Sequence, residues 1–149
     1  MLYEKLQHEY LHLTFIEDPK MPEGLDGLCI NEKIYINKCL NAYEKHGVLA
    51  EEIGHSETTY GDIIDLDRII NQKLENIARR WGYQKIVPLS KIIECHELGI
   101  NTIEEVCVHL EVTESYFKKS IDYYFDKYGI YKKHGNYNIF FDPLYILPI

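Results

Sequence analysis

The apolar residues of this 149-residue chain change their spacing along the sequence. In segment 27–38 (GLCINEKIYINK), apolar and polar residues alternate on both sides of Asn31 and Glu32, which is typical of two strands joined by a tight turn. From Asn41 onward the apolar residues recur at helical intervals, and a second helix with the same spacing is predicted over 67–83. Strands followed by long helices predict an α+β fold in which a small antiparallel sheet packs against a pair of helices.

The rest of the chain predicts shorter helices and a closing hairpin. Pro88 ends the second long helix because proline lacks an amide hydrogen and clashes with the preceding turn. Thr102 and Thr113 each stand where a hydroxyl would cap the start of a helix, and a tight turn separates these two helices. The final segment alternates again and predicts a terminal hairpin. We therefore predict two domains, 1–88 and 89–149, the second resembling a helix-turn-helix.

Composition limits the partners and the compartment. The chain has 16 basic and 24 acidic residues and a formal charge of −8, which argues against binding to nucleic acid because phosphate contacts need lysine and arginine. No apolar run is long enough to span a bilayer, the first residues lack a signal-peptide core, and the four cysteines form no C-x-x-C pair. These features predict a cytoplasmic protein with reduced thiols and no membrane partner.

The first long helix contains the sequence Glu51-Glu52-x-x-His55. Helical spacing places Glu51 and His55 on one face, one turn apart, with Glu52 beside them. Zinc peptidases use H-E-x-x-H in this geometry, with two histidines that bind zinc and a glutamate that activates water. Here Glu51 stands in the first histidine position, where a carboxylate can still ligate zinc and also suits harder ions such as manganese or iron. A solvated acidic helix face with an incidental histidine is the alternative interpretation.

Three segments, taken in order, resemble the ImmA/IrrE family of metallo-endopeptidases, in particular its small phage or mobile-element members. The segments are VLAEEIGH (48–55), TTYGDI (58–63) and LENIARRWGYQKIVP (74–88). That family carries H-E-x-x-H on one helix and an acidic third ligand on the next, followed by an alanine, an aromatic and a small residue, and a proline. The residues that match this second-helix pattern are Glu75, Ala78, Trp81-Gly82 and Pro88.

The resemblance implies a zincin-like helix pair followed by a helix-turn-helix-like half. It implies that Glu51, His55 and Glu75 hold a metal ion, zinc or alternatively manganese or iron, and that Glu52 is the catalytic general base. The implied activity is that of a cytosolic metal-dependent endopeptidase. Its protein substrate or partner would be a helix-turn-helix repressor of a phage or mobile element.

Several alternatives stay open from the sequence. Because Glu51 replaces a histidine, the site could be an active peptidase, a slow enzyme that binds metal, or an inactive homologue that regulates a repressor by binding it. Glu75 could instead form an ordinary surface ion pair with Arg79 or Arg80. A winged-helix DNA-binding regulator is a further alternative for the C-terminal half. Its candidate recognition helix, 114–128, carries equal numbers of lysines and acidic residues, and its aromatic stripe suits core packing or a protein partner.

Overall fold

The computed structural model describes residues 1–58 and 68–149, without the side chains of 68–70. Most of segment 58–63 and the predicted helix start at residue 67 lie outside the described residues. The helices within the described ranges are α1 (Leu2–His8), α2 (Ala42–Thr58), α3 (Arg68–Ile86), α4 (Leu89–Glu97), α5 (Ile103–Leu110) and α6 (Glu114–Tyr128). The strands are β1 (Thr14–Asp18), β2 (Gly27–Ile30), β3 (Lys33–Asn37), β4 (Tyr131–His134), β5 (Tyr137–Phe141) and β6 (Leu144–Pro148).

The chain forms two compact units, Met1–Gly82 and Tyr83–Ile149. Each unit combines helices with one three-stranded sheet, so the predicted α+β class is confirmed. The assignment of a peptidase domain to 1–88 and a helical domain to 89–149 stays a prediction.

The sheet of the first unit has the strand order β1-β3-β2. Strands β2 and β3 form the predicted antiparallel hairpin, and both turn residues, Asn31 and Glu32, have positive φ values as a two-residue hairpin turn of this kind requires. The sheet is mixed, because β1 extends the antiparallel hairpin by pairing with β3 in parallel. Alternating apolar residues define the buried face of a strand but not the direction of the strand beside it. The connection 19–26 leads from one edge strand, β1, to the other edge strand, β2, and β3 then lies between them.

Helix α2 is the central element of the first unit. It begins with a reciprocal capping box, in which the Asn41 side chain accepts a hydrogen bond from the Glu44 amide and the Glu44 side chain accepts one from the Asn41 amide. The helix packs against α1, β2 and β3. Its buried face includes Leu49 and Ile53, both fully shielded from solvent, and these contacts fix the rotation of the helix. The opposite side of the helix carries the candidate site.

The second unit begins its helices as the sequence predicts. The Thr102 hydroxyl accepts a hydrogen bond from the Glu105 amide at 3.2 Å, and the Thr113 hydroxyl accepts one from the Tyr116 amide at 3.1 Å. In the core of this unit, the buried Tyr124 hydroxyl donates a 2.8 Å hydrogen bond to the Val87 carbonyl.

The end of the chain forms an antiparallel sheet in the order β4-β5-β6. The predicted terminal hairpin corresponds to β4 and β5, joined at Gly135 and Asn136. Strand β6 adds a third strand, which the sequence prediction did not include. Ile139 and Phe141 of the middle strand are buried, so this sheet closes the core of the second unit on the side that α6 contacts.

Candidate metal centre on helices α2 and α3

Helix α2 presents the three consecutive site residues to different surroundings. Glu51 and His55 lie one turn apart and are half-buried, as expected for positions i and i+4. Glu52 points further inward and is only 7% exposed. Strand β2 passes directly beside it, since a Cβ atom built on Gly27 would lie 2.8 Å from the Glu52 Cγ. Because Gly27 has no side chain, the Glu52 side chain can occupy the space beside β2.

A close approach between α2 and α3 brings the fourth residue to the site. A Cβ atom built on Gly54 would lie only 2.6 Å from the Ala78 carbonyl oxygen, a distance at which the backbone would have to move. Gly54 precedes His55, and Ala78 lies one turn after Glu75 on α3. The two small residues thus let the helices approach closely enough for the side chains of His55 and Glu75 to meet.

The resulting cluster joins one imidazole and two carboxylates. One ligand atom from each of Glu51, His55 and Glu75 lies within 4.8 Å of the other two. The His55 Nε2 atom is 3.2 Å from the Glu75 Oε1 atom. Zinc binds imidazole nitrogen and carboxylate oxygen at about 2 Å, so donors at these separations can share one ion after small side-chain rotations. The donor set therefore fits a divalent metal, and no other three such side chains come as close within the searched part of the chain.

Arg79 of α3 bridges the two carboxylates of this cluster. Its Nε atom donates a 2.9 Å hydrogen bond to the Glu51 Oε1 atom, and its Nη2 atom lies 3.8 Å from the Glu75 Oε2 atom. Burial raises the pKa of Glu51, while the charge of Arg79 acts in the opposite direction. Glu75 therefore takes part in both arrangements considered from the sequence, the cluster with His55 and an ion pair with Arg79.

Glu52 lies at the inner edge of the cluster without a strong partner. Its Oε1 atom is 4.0 Å from the His55 Nε2 atom, and its buried Oε2 atom has no hydrogen-bond partner among the described residues. Burial, followed by the charges of Glu51 and Glu75, raises the pKa of Glu52 to about 8. A carboxyl group in this position is neutral at pH 7 until a cation or a proton donor comes close to it.

The structure brings together all four residues that the sequence singled out. Glu51, His55 and Glu75 form the cluster, and Glu52 stands next to His55. His46 of the same helix is 3% exposed and lies away from the cluster, as its spacing from His55 predicts. The sequence pattern did not predict the bond from Arg79 to Glu51 or the roles of Gly27 and Gly54. The position of Gly54 directly before His55 was the available signal for the close contact between α2 and α3.

Two helices that present Glu-Glu-x-x-His and an opposing glutamate define a site of the metallopeptidase type. The chain belongs to the Peptidase_M78 family, described as the IrrE N-terminal-like domain, whose model matches residues 5–121. This match confirms the ImmA/IrrE assignment and includes the positions of all four site residues. A comparison with curated proteins gave no match.

No helix in the part of the chain that the structure describes is long and apolar enough to cross a membrane. Cys29, Cys39, Cys95 and Cys107 are all free thiols.

Proposed function

We propose that this protein is a metal-dependent endopeptidase in which Glu51, His55 and Glu75 hold a divalent ion and Glu52 is the general base. The observation that carries the proposal is the convergence of three donor atoms from two helices beside a buried carboxyl oxygen that has no hydrogen-bond partner among the described residues. Membership of the Peptidase_M78 family supports it. When bound, zinc (or alternatively manganese or iron) supplies Lewis acidity that polarises the scissile carbonyl and lowers the pKa of water.

Glu52 is suited to proton transfer by its surroundings. It lies 4.0 Å from His55, which places it close to the ion that the cluster would hold. A nearby divalent charge favours the carboxylate form, whereas burial favours the neutral form, so the opposing effects bring the pKa of Glu52 toward neutrality. In the proposed reaction Glu52 takes a proton from the attacking water and delivers it to the leaving nitrogen.

The N-terminal sheet offers a place for an extended peptide. Strand β2 is an edge strand, and its Gly27 lies against the Glu52 side chain. A substrate segment that adds to this edge through backbone hydrogen bonds would run beside the general base. As substrate we propose a helix-turn-helix repressor of a phage or mobile element, which the resemblance to ImmA/IrrE implies. The acidic charge of the chain supports a protein partner over nucleic acid.

The test uses untagged, full-length protein loaded with zinc or manganese. We expect His55→Ala to abolish metal binding and Glu52→Gln to keep the metal while losing cleavage of a helix-turn-helix repressor supplied as substrate. Matched controls are His8→Ala on α1 and Glu57→Gln on α2, both exposed and outside the ligand set. Failure of the wild-type protein to take up either metal would overturn the proposal.

One observation favours a second candidate function, an inactive homologue that regulates a repressor by binding it. Arg79 neutralises Glu51 at the position where the usual motif has a histidine ligand. In this case the Glu52→Gln protein would regulate its partner as well as the wild type does, without any cleavage. Reporter expression from the repressed promoter, measured with both proteins, distinguishes the two functions.

A further inference from the structure

We propose that Arg79 competes with the metal ion for Glu51 and Glu75 and thereby sets the metal affinity of the site. This inference rests on the proposed function, because it takes the cluster to be a metal site. Its basis is a single guanidinium group that contacts both carboxylates, at 2.9 Å for Glu51 and 3.8 Å for Glu75. These are the two anionic members of the ligand set, so the arginine and the ion need the same oxygen atoms.

The chemistry of arginine makes the competition unavoidable. The planar guanidinium group of Arg79 has several N–H donors that match carboxylate oxygens, and it has no acceptor with which to bind a cation. A divalent ion held by Glu51 and Glu75 would face this positive charge at close range unless the side chain moved. The bond to the Glu51 Oε1 atom also occupies an oxygen that would otherwise ligate.

Arg79 is able to leave the site. Its side chain is 51% exposed, so rotation into solvent returns the guanidinium to water at small cost. The same contacts link Glu51 and Glu75, which also interact directly with each other. Arg79 is therefore a positioning residue. It holds the two carboxylates in place when no metal is bound, and its side chain moves away from them when the ion binds.

The neighbouring Arg80 provides a matched control. It is also exposed and adds the same charge to α3, but it takes no part in the ion pairs with Glu51 and Glu75. Zinc affinity is measured by competition with a chromophoric chelator on the full, untagged chain, and thermal unfolding is measured on the metal-free protein. We expect Arg79→Gln to bind zinc about 10-fold more tightly and to lower the unfolding temperature of the metal-free protein, while Arg80→Gln changes neither.

A second variant separates charge from geometry. Arg79→Lys keeps the charge but cannot bridge two carboxylates with a planar fork, so its zinc affinity should lie between those of the wild type and Arg79→Gln. If wild type and Arg79→Gln bind zinc equally, the competition is refuted and the metal site stands. If neither protein binds zinc or manganese, the proposed function fails together with this inference.

Discussion

Glu52 differs from the other acidic residues of the site in its partners within the described residues. Glu51 and Glu75 both contact Arg79, but Glu52 is buried against Gly27, and its Oε2 atom has no hydrogen-bond partner in the described part of the chain. Its pKa is therefore raised to about 8 from the ordinary value of 4.5. In the metal-free protein at neutral pH, Glu52 holds a proton that the unfolded chain would release.

This difference predicts how pH changes the stability of the metal-free protein. The pKa of Glu52 is higher in the folded state, so folding favours its protonated form. The contribution of Glu52 to the free energy of unfolding is therefore fully present below pH 4.5 and is lost as pH rises toward about 8. The unfolding free energy is measured with urea at several pH values in this range. Its dependence on pH should differ between wild type and Glu52→Gln by up to about 1.4 kcal/mol per pH unit. Parallel curves for the two proteins would contradict the prediction, and Glu57→Gln serves as the control.

Glu51 is the residue at which the site departs from the usual motif. Glu51→His should tighten zinc binding by about 10-fold or more, because it supplies a neutral imidazole ligand and removes the partner that holds Arg79 at the site. Glu51→Gln also releases Arg79 but supplies a poor ligand, so it should bind zinc more weakly than Glu51→His does. Competition with a chelator measures the zinc affinity of both variants. Equal affinities would show that residue 51 does not contribute a ligand to the bound zinc.

Residue-level prediction succeeded where spacing alone determines proximity. Glu51 and His55 share a face because they are four residues apart on a helix, and the family pattern indicated that Glu75 would oppose them. The partner of Arg79 could not be predicted in the same way. Once Glu75 opposes α2, helical spacing favours Arg79 over Arg80, because Arg79 lies four residues after Glu75 on the same face. Spacing does not predict which carboxylate of α2 Arg79 contacts.

At the scale of elements, the contact between α2 and α3 determines whether the ligand set can form. Gly54→Ala would favour the isolated helix by about 1 kcal/mol, but the added methyl group meets the rigid Ala78 carbonyl. We expect the steric effect to dominate, with a net loss of about 1–3 kcal/mol of unfolding free energy and a weaker zinc affinity. Ser56→Ala on the same helix is the control. An unchanged zinc affinity in Gly54→Ala would show that the metal site does not require the close approach of α2 and α3.

The success of element-level prediction depended on whether the signal was local. The caps at Thr102 and Thr113 and the turn at Asn31-Glu32 were predicted because a few neighbouring residues determine them. The parallel pairing of β1 with β3 joins segments that are separated in sequence by residues 19–32, which include β2, and alternation within β1 is equally compatible with either direction. Strand β6 was missed for a related reason, since its place in the sheet depends on pairing with β5.

At the scale of the whole molecule, the excess of acidic residues has a specific consequence for the site. Three of the 24 acidic residues, Glu51, Glu52 and Glu75, lie together on two adjacent helices. Arg79 compensates part of this charge in the metal-free protein. A bound divalent ion would compensate more of it and would reduce the magnitude of the total formal charge by two.

Metal binding should therefore stabilise the folded protein through mass action. At free zinc about 100-fold above its dissociation constant, the expected gain is about 2.7 kcal/mol, or a rise of roughly 5–20 °C in unfolding temperature. Scanning calorimetry measures the shift with zinc and its reversal by a chelator, and His55→Ala should show neither. If Met1–Gly82 and Tyr83–Ile149 unfold in separate transitions, only the transition of the first unit should move. An equal shift in the His55→Ala protein would show that zinc binds elsewhere, because that variant lacks the only imidazole of the cluster.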